Sequence, residues 1–451
     1  MTLDSSTLAP PQVVSGFHGQ DVPSYDIITN CMHCGLCLPH CPTFALTGLE
    51  KSSPRGRIRL MKAVTEGDLA ITDGFIDEMN FCLDCQACET VCPAGIKYGS
   101  LVEAARAQIF AGKYEPFLSR LTQHILLDWF FSRQKRLKLL AMFLRLYEQS
   151  GLQWFFQKSG ILKLVSRKLH EVQFLSPRIS DKFSSDVLAE TISPKEKPRY
   201  RVAFLTGCIM DVAFSDVNMD TIQLLLMHGC EVKVPKEQGC CGSLQAHYGD
   251  RVAARRMARR TIEAFSDPSI DFIVMNSAGC GAFMKEYAHL FEGDSEFATL
   301  AARVSQKTVD ITEFLASIGL RVPKNQNRFL KSVAGKRVTY HDACHLVHTQ
   351  RISREPRTLL QSIPGIEFVE LPESSWCCGS AGIYNIVRHD DAMKLLDRKV
   401  HHVESVSPDI LVTGNPGCMV QIQHGLEKHG LPVSIMHTAT FLRKVCEEEK
   451  D

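Results

Sequence analysis

Short apolar runs alternate with amphipathic segments through the second half of the chain. The runs DFIVMN (271–276) and DILVTG (409–414) have the length and composition of buried β-strands. The segments MDTIQLLLMHG (219–229) and DDAMKLLDRKVHHVES (390–405) repeat their apolar residues at the period of an α-helix. Because strands alternate with helices, we expect parallel sheets joined by right-handed crossovers.

Cysteine and glycine positions indicate that this half of the chain is duplicated. Each copy has a cysteine after a strand-like run, a Cys-Cys-Gly triplet 32 or 33 residues later, and another cysteine 39 or 40 residues beyond the triplet's second cysteine. The eight cysteines are Cys208, Cys240, Cys241 and Cys280 in the first copy and Cys344, Cys377, Cys378 and Cys418 in the second. The matching intervals predict two tandem α/β domains, at 199–325 and 334–446.

The four cysteines of each copy are predicted to meet at one site. Sites in parallel sheets lie beyond the carboxyl ends of the strands, and glycines beside the cysteines let the backbone approach a cluster closely. Four convergent thiolates favour one metal centre in each copy, expected to be an iron–sulfur cluster. A vicinal disulfide for redox exchange and inert buried thiols are the alternatives. Cys230 and Cys446 have no counterpart in the other copy and are predicted to pack in the core.

The N-terminal part of the chain carries the pattern C-x2-C-x2-C-x3-C-P twice. The two runs are Cys31, Cys34, Cys37 and Cys41 before Pro42, and Cys82, Cys85, Cys88 and Cys92 before Pro93. This spacing is typical of a ferredoxin with two [4Fe–4S] clusters, in which the fourth cysteine of each run binds the other cluster. We therefore expect one cluster on Cys31, Cys34, Cys37 and Cys92, and the other on Cys82, Cys85, Cys88 and Cys41. Zinc is the alternative, although zinc ribbons prefer two C-x2-C pairs that lie well apart.

Composition narrows the classes of function. The net charge of +1 provides no field that would attract nucleic acid. The 18 cysteines, at these spacings, indicate metal ligands in a reducing compartment, which predicts a cytoplasmic protein. The first 24 residues lack the basic start and the apolar run of a signal peptide. No apolar run of 18 residues occurs, so no membrane-spanning helix is expected.

The segment 116–198 between the two kinds of cysteine pattern is predicted to be a helical connector and linker. Its part 117–168 holds ten lysines and arginines against Asp128 and Glu148, with Leu, Phe and Trp at helical spacing between them. The simpler interpretation is a helical hairpin that covers the neighbouring domains and has solvated basic faces. The alternative is a basic amphipathic surface that contacts an anionic membrane or a partner subunit. The polar stretch 176–198 has three prolines and is predicted to be a linker.

Two groups of polar side chains close to the cysteines allow two interpretations each. They are Arg55, Arg57 and Arg59 between the ferredoxin runs, and His341, His345 and His348 around Cys344. The arginines either tune a cluster by their charge or form a solvated helix start after Pro54. The histidines either bind or protonate a group at a cluster, or are hydrogen-bonded polar groups at a strand end, which is the simpler interpretation.

Several stretches resemble the iron–sulfur subunit of glycolate oxidase (glycolate dehydrogenase), within the wider heterodisulfide reductase-like group that has duplicated CCG domains. The stretches are CMHCGLCLPHCPTFALTG, SPRGRIRLMKAV, FCLDCQACETVCPAGIKY, GCCGSLQAHYG, SAGCGAFMKEYA and CCGSAGIYNI. The resemblance covers the chain from about residue 24 to 445. There is one departure: a full CCG unit ends in C-x-x-C and supplies five thiolates, whereas here Phe283 and Gln421 stand at the fifth position.

The resemblance implies an α+β multidomain protein, with an α-helical bacterial two-[4Fe–4S] ferredoxin domain at 22–115, the connector, and two CCG domains with parallel sheets. It also implies an electron-transfer subunit that takes electrons from a partner FAD subunit oxidising glycolate to glyoxylate, and passes them to a quinone or another membrane-linked acceptor. Peripheral contact with the cytoplasmic face of a membrane fits this role. The equivalent subunit of a lactate or glycerol-3-phosphate dehydrogenase is a further possibility within the same group.

Two other classes of function compete with this one: a CCG subunit that is itself a catalytic disulfide reductase, and a non-catalytic redox sensor. The absent fifth cysteines argue against the reductase, and two ferredoxin clusters in series with further sites argue against the sensor. The chain has no strand followed by GxGxxG, no P-loop and no catalytic triad pattern. We therefore predict no catalytic residue in this chain, and a hydride acceptor on another subunit.

Overall fold

The computed structural model describes residues 16–114, 121, 124–323 and 327–448. Contacts within the chain divide it into two units, Met1–Phe117 with Ala246–Arg251, and Leu118–Gln245 with Val252–Asp451. The four segments inferred from the sequence divide the chain more finely than these two units, and their boundaries stay predictions.

The first unit is helical. Its helices are Tyr25–Thr29, Pro42–Thr47, Glu50–Ser52, Pro54–Thr65, Asp73–Phe81, Ala87–Thr90 and Tyr98–Ala111. Ser53 caps the helix that starts at Pro54, because its hydroxyl accepts a hydrogen bond from the backbone N–H of Gly56. The core of this unit is apolar, and several cluster cysteines pack against its edge. The predicted helical ferredoxin domain is confirmed.

Two sheets form the centre of the second unit. Their strands are β1 (Thr191–Ile192), β2 (Tyr200–Phe204), β3 (Cys230–Lys233), β4 (Phe272–Met275), β5 (Thr308–Asp310), β6 (Arg337–His341), β7 (Glu367–Phe368), β8 (Ile410–Thr413) and β9 (Ser434–His437). The first sheet has the order β1-β3-β2-β4-β5, and the second has the order β7-β6-β8-β9. All neighbours are parallel except β1 and β3. The predicted pair of parallel sheets is confirmed, with DFIVMN and DILVTG as the central strands β4 and β8.

Helices surround these sheets and form the connector before them. They are His124–Phe130 (a π-helix), Gln134–Gln149, Leu152–Ser159, Ile161–Val165, Arg167–Val172, Gln173–Leu175, Ser184–Val187, Ile209–Ala213, Ser215–Met227, Ser243–His247, Arg251–Ala264, Ala278–Lys285, Tyr287–Leu290, Ala298–Lys307, Ile311–Ile318, Arg328–Val333, His345–Thr349, Arg354–Gln361, Tyr384–Val387, His389–Val406, Pro416–Lys428 and Thr438–Cys446.

A single apolar core joins the two CCG copies. It contains Val202 and Phe204 of β2 together with Val338 of β6 and Val412 of β8. Because side chains from both sheets pack in it, the copies share part of the free energy of burial, and the second copy also has an apolar cluster of its own around Leu396 and Leu411. Cys230 and Cys446 are buried in this core, as predicted for packing cysteines.

The polar stretch 176–198 is more ordered than the linker that its composition predicts. It contains the helix Ser184–Val187 and the strand β1, which pairs with β3 as the antiparallel edge of the first sheet. Phe183 and Leu188 are buried. The linker interpretation was wrong here, because three buried apolar residues, Ile179 among them, and one strand pair order a segment that is otherwise polar.

The connector helix Gln134–Gln149 buries one side only. Leu137 and Ala141 pack with Ile179, Phe183 and Val212. The residues at positions 139, 142, 143 and 146 form a second apolar stripe at helical spacing, and all four are exposed. The simpler interpretation of a hairpin whose apolar residues cover neighbouring domains therefore does not account for this second stripe. Within the described parts of the chain, no helix combines the length and the apolar composition needed to cross a lipid bilayer.

The glycine that follows each Cys-Cys pair is required by its backbone conformation and by its surroundings. Gly242 has φ of +94° and Gly379 has φ of +89°, both in the left-handed region. A Cβ atom on Gly242 would lie 2.9 Å from the carbonyl oxygen of Ala254, and one on Gly379 would lie 2.6 Å from that of Ala392. Each Cys-Cys pair is thus held against the second helix after it, Arg251–Ala264 or His389–Val406, at a distance that only glycine permits.

We expect Gly379→Ala to lower the free energy of unfolding by about 2–4 kcal/mol, since it adds both backbone strain and a collision. Gly293→Ala is the matched control, because Gly293 has φ of +78° but nothing within 4 Å of its Cβ direction. The control should lose only about 1 kcal/mol. Calorimetric unfolding of the two variants measures the difference, and equal losses would show that the close approach to Ala392 does not matter.

Candidate metal centres

Cysteines from both ferredoxin runs line one cavity of the first unit. Its wall contains Cys31, Cys34 and Cys37 from the first run, and Cys88 and Cys92 from the second. Burial raises the pKa of the Cys31 thiol, and the nearby charge of Cys92 adds to the rise. Burial also raises the pKa of Cys37 to about 11. The cavity therefore brings Cys92 to the three cysteines with which the crossed pattern pairs it.

The remaining cysteine of the first run lies with the second run. Burial raises the pKa of Cys88 well above its ordinary value, with further contributions from the thiols of Cys85, Cys82 and Cys41. The backbone N–H of Asp84 points to the sulfur of Cys82 at 3.3 Å, and the Tyr98 hydroxyl lies 3.6 Å from the same sulfur. Both groups can donate to a thiolate, which stabilises negative charge at this position.

Arg57 places a buried positive charge beside this second group of cysteines. Its side chain is 0% exposed. Its Nε donates to the carbonyl oxygen of Glu78 at 2.7 Å, and one terminal nitrogen donates to the Thr43 hydroxyl at 3.1 Å. Burial opposes the charge, but Tyr98, Cys82, Cys41 and Glu78 outweigh it and raise the pKa of Arg57. Arg57 is therefore a buried cation near the cysteines, whereas Arg59 is exposed as expected for a solvated helix start.

A network of buried charges holds the second run from its other side. Arg106 donates to the carbonyl oxygens of Met79 and Cys82, and to that of His247 at 3.0 Å. The His247 ring lies 2.9 Å from an Asp84 carboxylate oxygen and 3.4 Å from one of Glu103. Burial opposes protonation of His247, but the hydrogen bond and charge of Asp84 and the charge of Glu103 raise its pKa. The network fixes the backbone around Cys82. Its carboxylates, Asp84 and Glu103, lie beside the cationic groups Arg106 and His247.

The four cysteines of each CCG copy come together in the same order. In the first copy, hydrogen bonds link Cys208 to Cys240, Cys240 to Cys241, and Cys241 to Cys280. In the second copy they link Cys344 to Cys377, Cys377 to Cys378, and Cys378 to Cys418. Bonds from both neighbours lower the pKa of Cys240 and of Cys378 well below that of a free thiol. Each copy thus forms one compact group of four sulfur donors, as the repeat predicts.

The last cysteine of each copy lies in the first turn of a helix. Cys280 belongs to Ala278–Lys285, and Cys418 belongs to Pro416–Lys428. The hydrogen bond with Cys378, and then burial, raise the pKa of the Cys418 thiol. In the second copy the side-chain amide of Asn415 also points to the sulfur of Cys418 at 3.4 Å.

Buried side chains other than cysteine occupy the positions of the absent fifth thiolates. Phe283 and Gln421 are both buried. The side-chain oxygen of Gln421 accepts a hydrogen bond from Asn385 at 2.9 Å. The fifth positions are thus filled by packed side chains, and neither of them offers a sulfur ligand.

Two of the three histidines near Cys344 differ in their partners, because His341 is hydrogen-bonded to the Cys378 sulfur and His348 contacts a backbone oxygen. His348 contacts the carbonyl oxygen of Ser375 at 3.2 Å and fits the simpler interpretation of a hydrogen-bonded polar group. His341 is buried, and burial lowers its pKa although the Cys378 sulfur favours the protonated ring. Neither of its ring nitrogens has a nitrogen or oxygen partner in the described part of the chain. The sequence alone could not separate these two residues.

The donor sets suit iron–sulfur chemistry. Each site offers several soft sulfur donors, which are largely buried in the second ferredoxin group and in the CCG copies and more exposed around Cys34. Burial and then the neighbouring thiols raise the pKa of Cys88, and bound cations would oppose this rise because they favour the thiolate. The assignment of each cysteine to a particular cluster stays a prediction, which the cavity around Cys31 and Cys92 supports.

Comparison with known proteins agrees with this geometry. A 4Fe-4S dicluster domain family matches residues 27–96, a cysteine-rich domain family matches 202–285 and 338–423, and the linker region of the glycolate oxidase iron-sulfur subunit matches 118–175. The probable glycolate oxidase iron-sulfur subunit of Bacillus subtilis is 38% identical over 92% of this chain and 93% of its own length. The glycolate oxidase iron-sulfur subunit of Escherichia coli is 30% identical over 94% of this chain and 95% of its own length. Lactate utilization protein A of Shouchella clausii is 32% identical over 53% of this chain and 98% of its own length.

The fold and the cysteine groups define an iron–sulfur protein with a dicluster ferredoxin domain and two cysteine-rich domains. The extent of the similarity shows more. The chain belongs to the glycolate oxidase iron–sulfur subunit family, and is thus an iron–sulfur subunit of an oxidoreductase.

Crossed ligation can be tested by serine variants in the intact chain. We expect Cys92→Ser to alter the same cluster signal as Cys34→Ser, and Cys41→Ser to alter the same signal as Cys85→Ser. The measurement is EPR of the reduced protein, in which each variant should lose or strongly shift one of two [4Fe–4S] signals. If Cys41→Ser instead changes the signal that Cys34→Ser changes, each run holds its own cluster.

Proposed function

We propose that the chain is the electron-transfer subunit of a glycolate dehydrogenase complex. It would accept electrons from an FAD subunit that oxidises glycolate to glyoxylate, and pass them to a quinone or another membrane-linked acceptor. The observation that carries the proposal is the presence of four groups of cysteines in a chain without a nucleotide-binding motif. Two groups would hold [4Fe–4S] clusters, and each CCG copy would hold one further iron–sulfur cluster. Relatives named as glycolate oxidase subunits support this partner and substrate.

The division of labour follows from the chemistry of the two kinds of cofactor. A flavin accepts a hydride from a 2-hydroxy acid, whereas iron–sulfur clusters carry single electrons. The residues of this chain would bind the clusters, exclude water and set their electrostatics. Arg57 would stabilise the more negative reduced state of the second group, because a buried positive charge interacts strongly with added negative charge.

A second candidate is a catalytic CCG reductase that acts on a disulfide. The packing of Phe283 and Gln421 disfavours it, because these buried side chains take the positions of the thiolates that a full CCG unit supplies. The equivalent subunit of a lactate dehydrogenase is favoured by a separate observation, the similarity to lactate utilization protein A. A substrate panel on the assembled complex separates lactate from glycolate.

We expect the purified chain to have no glycolate oxidation activity, and to gain it only with an FAD-binding partner. Cys31→Ser or Cys82→Ser should reduce electron flow to the physiological acceptor at least about 100-fold, and should leave reduction of the partner's flavin by glycolate intact, because the hydride step occurs elsewhere. Stopped-flow absorbance of the flavin separates the two steps.

Cys446→Ala is the matched control for this experiment, since Cys446 packs in the core away from the cysteine groups. It should leave both steps unchanged. Turnover of glycolate by this chain alone would contradict the proposal. The proposal would also be contradicted if the clusters stayed oxidised while substrate reduced the partner's flavin.

We also propose that the connector rests on an anionic membrane surface. The stripe formed by Leu139, Met142, Phe143 and Leu146 is exposed, with Phe143 63% and Leu146 64% accessible to solvent. Trp154 on the next helix is exposed as well. Exposed basic side chains accompany them, namely Arg133, Lys135, Lys158, Lys163 and Arg167. Apolar side chains beside lysine and arginine are the combination that binds the interface of an anionic bilayer, and a tryptophan is common at that depth.

We expect the double variant Phe143→Glu, Leu146→Glu to bind vesicles of phosphatidylglycerol and phosphatidylcholine at least roughly tenfold more weakly, because two apolar side chains no longer enter the bilayer. Val252→Glu is the control, since Val252 is an exposed apolar residue on another helix. Flotation measures the bound fraction, with pure phosphatidylcholine as the uncharged reference. If the double variant floats like the native chain but no longer binds the FAD subunit, the stripe contacts that partner instead.

A further inference from the structure

The histidine that contacts the Cys378 sulfur in the second CCG copy occupies an informative position. His341 is the last residue of β6, where its backbone pairs with Thr413 of β8, and the Thr413 hydroxyl donates to the His341 carbonyl oxygen at 3.0 Å. The backbone is therefore satisfied. The side chain is 1% exposed, and neither ring nitrogen has a nitrogen or oxygen partner among the described residues. The polar contact of the ring is instead a hydrogen bond with the Cys378 sulfur, so the cysteine group itself holds the imidazole.

The ring is aimed at the cysteine group. One ring nitrogen of His341 and the sulfurs of Cys378 and Cys418 all lie within 4.8 Å of one another. All three residues are buried. Imidazole nitrogen and thiolate sulfur are both ligands for iron and zinc, so these atoms form a mixed donor set around one point.

The first copy provides an internal comparison. Its residue three positions before the leading cysteine is Leu205, which matches His341 before Cys344, and Leu205 is buried in the same way. The fold therefore accepts leucine at this position at no polar cost. A histidine that served only for packing would be a poorer choice than the leucine of the first copy, because its nitrogens lose their contact with water and gain no oxygen or nitrogen partner.

We propose that His341 is a ligand of the metal centre in the second CCG copy, and binds an iron of that centre through a ring nitrogen. This proposal rests on the proposed function, in which each CCG copy holds an iron–sulfur cluster. His341 would then supply the fifth donor that the sequence lacks at Gln421. The two copies would differ, with sulfur ligands alone in the first copy and a mixed nitrogen and sulfur set in the second.

The difference has a consequence for electron transfer. A neutral imidazole adds no negative charge to the cluster, so the four thiolates would give both copies the same ligand charge, and the mixed set would have a higher reduction potential than a centre with five thiolates. Lys399 is a buried cation in the second copy, at a position where the first copy has Thr261. A positive charge there favours the reduced cluster and raises its reduction potential. We expect the centre of the second copy to have the higher reduction potential of the two.

The test uses the full chain labelled with 15N-histidine, reduced and measured by pulsed EPR. Signals lost in Cys418→Ser identify the centre of the second copy. In that signal we expect the strong nitrogen coupling of a directly bound imidazole, absent in His341→Leu and kept in His401→Leu, whose histidine is exposed. His341→Leu copies the residue that the fold already accepts at Leu205. His341→Cys provides a second variant, which should keep the cluster, lose the nitrogen coupling and lower the midpoint potential.

The outcomes separate this proposal from the proposed function. Iron in the second copy with only weak nitrogen coupling, or with coupling unchanged in His341→Leu, would overturn the histidine ligand and leave the electron-transfer role standing. Iron and sulfide analysis that finds no metal, or zinc alone, in the CCG copies would overturn both the CCG clusters and the histidine ligand. Strong coupling that disappears in both His341 variants supports the proposal.

Discussion

Bringing four thiolates to one point without water is the constraint on which this structure depends. Thiolates repel one another at such distances, and the bare thiols hold their protons, as the raised pKa of Cys88 shows. Rigid elements must therefore supply the convergence that the sulfurs themselves resist. The ferredoxin unit does this with short helices between tight turns. Each CCG copy does it with the carboxyl ends of parallel strands, with a helix N-terminus and with a glycine in a left-handed backbone conformation.

The parts of the fold that follow from this constraint could be predicted from sequence. Metal ligation fixes the spacing of cysteines, so the ferredoxin runs and the repeated Cys-Cys-Gly units are enough to identify both kinds of domain. Buried parallel strands are continuous apolar runs, so β4 and β8 are equally visible in the sequence. Gly242 and Gly379 were expected to allow close approach, and their φ values agree.

The parts that were missed depend on contacts that periodicity does not encode. The strand β1 lies in a polar stretch with three prolines, and only its pairing with β3 orders it. The connector pattern indicated amphipathic helices but not which apolar side would find a core. Leu137 packs in a core, whereas the stripe that contains Phe143 is exposed. His341 and His348 are both histidines near one cysteine in the sequence, and only their surroundings distinguish a ring that contacts a cysteine sulfur from one that contacts a backbone oxygen.

The duplicated half shows how one scaffold can provide two electron-transfer sites with different properties. The strands, the Cys-Cys-Gly turns and the order of sulfur contacts repeat in both copies, because convergence of four thiolates leaves little freedom. The residues around the sulfurs are not under that constraint, and they differ: leucine against histidine before the leading cysteine, and Thr261 against Lys399 on the second helix after the Cys-Cys pair. Electrons move spontaneously toward the site with the higher potential, so a duplication with identical surroundings would give no direction. A repeat acquires a direction of electron transfer when the residues around the sulfurs diverge while the strands, turns and cysteines that hold the ligands stay the same.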